Sequence, residues 1–137
     1  VTILTEKINI ILPLKINIPR KTKKDRSVYL NLNTYRNLHY VVNNQVKKIF
    51  KESLKSDLYG IKMSNQVKIT YTYYANSNRK SDLSNMCSIV DKFFCDALTY
   101  YGCIPDDNYE HVVEVIYKYG GVDKGQGRVE VLVESKF

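Results

Sequence analysis

The chain has 137 residues, which fits one domain over 1–137 and argues against two. Hydrophobic residues make up 44% and charged residues 26%, enough apolar surface for a core that needs neither disulfides nor a structural metal. Twenty-one Lys and Arg against fourteen Asp and Glu give a net charge of +7, which favours a polyanionic partner by raising the local concentration of phosphate backbones. Many small proteins are basic without such a partner, so charge alone leaves both readings open.

Three cysteines, at 87, 95 and 103, are odd in number and lack C-x-x-C spacing, and His39 and His111 are the only histidines. A disulfide scaffold and a zinc site are both disfavoured, and a reducing compartment is expected. The opening Val1–Glu6 has neither the basic nor the apolar region of a signal peptide. No stretch approaches a membrane span, so a cytoplasmic protein without membrane contact is expected.

From Ile8 to Ile18 the even positions are Ile or Leu while Lys7, Asn9, Lys15 and Asn17 stand between them, which predicts a strand with one buried face. Pro13 removes a ladder donor and predicts an edge strand or a break into two. Residues 20–26 read as a basic connector carrying Arg20, Lys21, Lys23, Lys24 and Arg26. Asn33 then caps a helix whose apolar face runs Tyr35, Leu38, His39, Val42, Val46, Ile49, Phe50 and Leu54. His39 on that face reads as a structural histidine. Arg36, Lys47, Lys48, Lys51 and Lys55 fall mostly elsewhere and read most simply as a solvated face, less simply as a DNA-contacting one.

Val67, Ile69, Tyr71 and Tyr73 alternate with Lys68, Thr70 and Thr72 in a further strand. A turn-rich loop reaches Asp82, and a second helix follows from about Leu83 to Tyr101, with Met86, Cys87, Val90, Phe94, Ala97, Leu98 and Tyr101 as its buried stripe. Gly102 stops it. Beyond Asp106 and Asp107, two alternating runs joined by a glycine-rich connector predict a C-terminal antiparallel hairpin. The expected class is α+β: a mixed β-sheet packed with two main helices.

Acidic residues cluster in the second half: Asp82, Asp91, Asp96, Asp106 and Asp107. Carboxylates at element ends suit Mg²⁺, a hard cation that takes oxygen ligands and can activate water against a phosphate. On local pattern alone, a helix cap at Asp82 and a turn after proline at Asp106-Asp107-Asn108 outweigh the metal reading, because these residue types are common in those roles. Asn85, Lys92 and Asp96 step by seven and four along one helix face, where Lys92 and Asp96 read as an ion pair, or Lys92 as a phosphate contact.

The ordered elements Arg79-Lys80-Ser81-Asp82-Leu83-Ser84-Asn85, Lys92-Phe-Phe-Cys-Asp96-Ala97-Leu98 and Tyr101-Gly102-Cys-Ile104-Pro-Asp106-Asp107 resemble the signature of RusA-like Holliday-junction resolvases. That family shows D-x-D-N, a following lysine, D-A-L, a glycine and a terminal D-D. Asn31–Arg36 and the closing strands resemble the family's remaining parts, so the resemblance spans nearly the whole chain. It implies a homodimer that nicks four-way or branched DNA with Mg²⁺, for which Mn²⁺ can substitute. By position, Asp82 corresponds to the first metal-binding aspartate, Asp107 to the last and Lys92 to the catalytic lysine, with Asn85 and Asp96 in support. Residues 20–26, Arg79, Lys80 and the lysines of the first helix would hold the DNA arms. Two departures stand out: Ser84 replaces the second aspartate, and Lys92 lies about one helical turn late. Asp106, or less directly Asp91, would replace the missing carboxylate. The alternative is a catalytically weak or inactive junction-binding protein on the same scaffold. A phage or prophage origin suits the resemblance.

Overall fold

A computed structural model describes residues 3–137; Val1 and Thr2, the start of the segment read above as lacking a leader, lie outside it. The order is β1 (Lys7–Leu12), β2 (Lys15–Ile18), β3 (Arg26–Tyr29), α1 (Leu32–Asn37), α2 (Tyr40–Ser53), α3 (Lys55–Leu58), β4 (Gln66–Ala75), α4 (Leu83–Tyr100), β5 (Val112–Val122) and β6 (Arg128–Lys136). Among the described residues the fold is α+β, with a mixed four-stranded sheet in the order β1-β6-β4-β5, a two-stranded β2-β3 sheet, and four helices. No helix among the described residues is long and apolar enough to cross a membrane.

The first predicted strand divides at Pro13, which cannot donate to a ladder, so β1 joins the large sheet beside β6 while β2 turns away to pair with β3. The basic connector is therefore a hairpin tip, and Arg26 already belongs to a strand. The first predicted helix also divides. Asn31, not Asn33, caps α1 through Oδ1, which accepts from the Thr34 N–H at 2.9 Å. His39 is not on a buried helical face: its Nδ1 accepts from the Val41 N–H at 3.2 Å and caps α2. A cap needs extended backbone, and Leu38 and His39 supply it between the two helices.

The C-terminal strands are not a hairpin. β5 runs parallel to β4 on one side and β6 antiparallel to it on the other, so β4 separates them. Alternation shows which face a strand buries but not which neighbour it pairs with. The connector crosses the end of β4: the Asp123 N–H donates to the Ala75 carbonyl at 2.9 Å and the Gly127 N–H to Asn76 Oδ1 at 3.2 Å. A Cβ on Gly127 would lie 2.7 Å from that of Asn76, so only glycine lets the crossing chain sit this close.

α4 covers one face of the sheet, burying Cys87, Val90, Phe94 and Leu98 against Val67, Ile69, Tyr71, Val129, Val131 and Val133. It ends as the glycine predicts. Gly102 has φ +71°, the Cys103 N–H reaches the Leu98 carbonyl and the Gly102 N–H that of Thr99, a Schellman arrangement.

One polar cluster lies inside this packing. The Asp91 carboxylate on α4 accepts from Tyr71 OH on β4 at 2.6 Å and from Tyr117 OH on β5 at 2.7 Å, with the Cys95 thiol 3.3 Å away. Burial, followed by the charges and hydrogen bonds of Cys95 and Asp91, pushes the Tyr71 hydroxyl well above its usual pKa. Burial and then Asp91 do the same for Tyr117 and for the Cys95 thiol. All three therefore stay protonated, which suits donation to a carboxylate. Tyr117→Phe is expected to destabilise the protein by about 1.5 kcal/mol and Asp91→Ala by about 3 kcal/mol, the latter leaving the buried Tyr71 hydroxyl and the half-buried Tyr117 hydroxyl without their carboxylate acceptor. Guanidinium unfolding would show this as lower midpoints at unchanged slope; a neutral Asp91→Ala would contradict it.

Candidate functional site

α4 divides the acidic residues into two groups. Asp82 holds its N-cap position, with extended backbone and its carbonyl accepting from Met86 N–H at 3.2 Å, yet its side chain makes no capping bond. The exposed carboxylate is thus free on the wall of a groove of about 910 Å³ between the 76–82 loop, α1 and the start of α4. Arg36, Arg79 and Lys80 line the same groove, so its charge is positive around one carboxylate. Asn85 Oδ1 accepts from the Asn33 N–H at 3.2 Å and fixes α1 against α4 there.

Asp106 and Asp107 belong to the other end. Asp106 Oδ1 accepts from the Asp107 N–H at 2.7 Å and Oδ2 from Asn108 Nδ2 at 3.1 Å, so the turn reading of this segment holds as well. Partial loss of hydration, then the hydrogen bond with Asp106, then the charges of Asp96 and Asp106 raise the Asp107 carboxyl above its ordinary value. The charge of Asp107 also reaches Cys95. Cys95 lies thirteen residues beyond Asp82, roughly 20 Å along a helix axis. Within one chain, therefore, Asp96, Asp106 and Asp107 are neighbours and Asp82 is not among them.

Lys92 is exposed about 15 Å along the axis from Asp82, and no ion pair with Asp96 forms among the described residues. The simple pairing expected for it is absent. Asp91, the less direct substitute ligand, has both oxygens occupied by tyrosines. Among the described residues no group of three or more His, Cys, Asp and Glu is arranged to hold a metal ion.

The basic residues also separate. Arg20, Lys21, Lys23 and Lys24 crown the exposed β2-β3 tip, where Arg20 Nε donates to the Lys24 carbonyl at 2.7 Å. Leu14 and Tyr29, at the opposite end of that hairpin, line the groove. Lys47, Lys51 and Lys55 line a further hollow of about 430 Å³ beside Tyr100, with Lys51 Nζ 4.4 Å from the Tyr100 ring centre. Arg36, read from sequence with the lysines of the first helix, lines the groove instead with Arg79 and Lys80.

Neither a protein-family model nor a curated protein matches this chain.

The raised pKa of Asp107 gives a signed prediction. An acid whose folded pKa is raised stabilises the fold below its unfolded pKa and loses that contribution as pH rises through the folded value. Asp107→Asn, which cannot ionise, should therefore melt slightly above the wild type near pH 7 and level with it near pH 3. Equal melting temperatures at both would show that Asp107 carries no such strain.

Proposed function

We propose that the chain is a RusA-like, structure-selective DNA endonuclease of the cytoplasm, acting as a homodimer on four-way or branched junctions with Mg²⁺ or Mn²⁺. The observation that carries this reading is the uncommitted Asp82 carboxylate among Arg36, Arg79 and Lys80 in a large groove. It sits where the ordered motif of residues 79–107 expects a catalytic aspartate. Cationic side chains beside a carboxylate suit a scissile phosphate better than a neutral ligand, because phosphate contacts set register on the backbone.

The chain's own residues divide the work as follows. Arg79 and Lys80 bind the backbone, Asn85 keeps the groove wall in place, and the β2-β3 tip contacts a flanking duplex. Asp82 lies roughly 20 Å along the α4 axis from Cys95, the residue that the charge of Asp107 reaches, so in this reading a second copy supplies one of the two carboxylate groups to each phosphate. A two-fold dimer does this twice, matching paired nicks on a two-fold junction. When bound, a divalent ion supplies Lewis-acid activation of water; no step through it follows from a single chain.

The second reading, a junction-binding protein without cleavage, is favoured by Ser84, a poorer Mg²⁺ ligand than the aspartate it stands for. Incubating the protein with a synthetic four-way junction and Mg²⁺ separates the two. The endonuclease reading expects paired nicks that fall at least about 100-fold in Asp82→Asn and Asp107→Asn, a loss typical of removing a charged catalytic group. Lys92→Ala should lower nicking with binding intact. Salt-sensitive binding without any nicking, in Mg²⁺ or Mn²⁺, would leave the second reading.

A further inference from the structure

The loop that lines the basic groove also walls a second hollow on its other side. This pocket, of about 470 Å³, is floored by Tyr73 and Ala75 of β4, closed by Leu83 of α4, and opened at its rim by Tyr119 and Val122 of β5. Arg79 and Lys80 stand between the two spaces and line both. The pocket has a physical cause. Gly120 is seated where a Cβ would lie 2.6 Å from the Tyr74 ring, and the β4-β5 register shifts between Tyr73 and Tyr74, so Gly120 is the extra residue of a bulge that re-aims the strand beside the pocket. The start of α4 leaves this end of the sheet only partly covered, and Tyr119 remains 61% exposed although it is on the same face as Tyr117.

Such a surface pairs an apolar, aromatic recess with two cations at its mouth. A tyrosine face left open to water is a stacking platform for any nucleobase, and cations beside it complement the attached phosphate. We propose that the Tyr73-Tyr119-Val122 pocket receives one unpaired nucleobase of the bound DNA, stacked on Tyr119, while that nucleotide's phosphate lies on Arg79 and Lys80 facing Asp82. Branch points expose unstacked bases that regular duplex does not, so the pocket gives preference for branched DNA without reading sequence. The inference rests on the nucleic-acid part of the function proposed above and does not depend on cleavage.

The test is a two-by-two binding comparison without metal. Wild type and Tyr119→Ala are each measured on a duplex carrying one unpaired adenine and on the same duplex with an abasic residue there. Wild type should favour the adenine over the abasic duplex roughly 5- to 150-fold, the range of one base stacked on an aromatic side chain. Tyr119→Ala should abolish that difference while keeping the salt dependence; Tyr119→Phe should retain it. Replacing the adenine by 2-aminopurine should give quenched fluorescence with wild type, a readout that stands even if the alanine variant does not fold. Equal affinity of wild type for the two duplexes, or unquenched 2-aminopurine, overturns the pocket while leaving the groove intact. No salt-dependent binding to either duplex overturns the nucleic-acid reading and the pocket together.

Discussion

The Asp91 carboxylate is the constraint on which the rest of this structure is arranged. Its two oxygens hold hydroxyls from two parallel strands, Tyr71 on the central β4 and Tyr117 on the edge strand β5, and it projects from the helix that covers both. A charged acceptor with two short donors is worth more than neutral hydrogen bonds, and leaving it unpaired in that position would be costly. Apolar packing alone permits α4 to slide or rotate on the sheet; this cluster fixes both its rotation and its axial position. Because Asp82 and the Asp96–Asp107 region sit at the two ends of the same helix, their placement follows from that one anchor.

Most secondary elements were legible because each carries its own periodicity. The alternation of Val67–Tyr73 and the stripe of α4 depend only on which side faces the core, and Gly102 ends α4 because its backbone can take a positive φ. What depends on distant neighbours was not legible. The β5 and β6 runs look like a hairpin in sequence, yet a connector with Gly127 against Asn76 carries the chain across β4. Four residues, Arg26–Tyr29, are too short and too polar to announce a strand, and their pairing with β2 comes from the break at Pro13. The first helix breaks where Leu38 and His39 take extended backbone, and the His39 ring then caps the second part by accepting from the Val41 N–H.

The site was legible in part for the same reason. Asp82, Arg79, Lys80 and Asn85 lie within seven residues of one another, so a local motif suffices to group them, and they do share a groove. Asp106 and Asp107 were expected beside them on the order of motifs alone, and the length of α4 holds them apart. Asp91 carries the right chemistry for a ligand but its surroundings are two tyrosines that sequence could not bring to it. Tyr119 shares the alternating face of Tyr117, yet it stays open to water beside the bulge at Gly120.

The separation of the two carboxylate groups makes the proposed homodimer a requirement for the proposed chemistry rather than a convenience. This is tested most directly by mixing two inactive variants, Asp82→Asn and Asp107→Asn, and measuring four-way-junction nicking after subunit exchange. When Asp82 and Asp107 act across the interface, each mixed dimer contains one intact site and one doubly defective site, so single nicks return on mixing. If exchange is demonstrated and nicking stays absent, Asp82 and Asp107 do not act together across two copies of this chain.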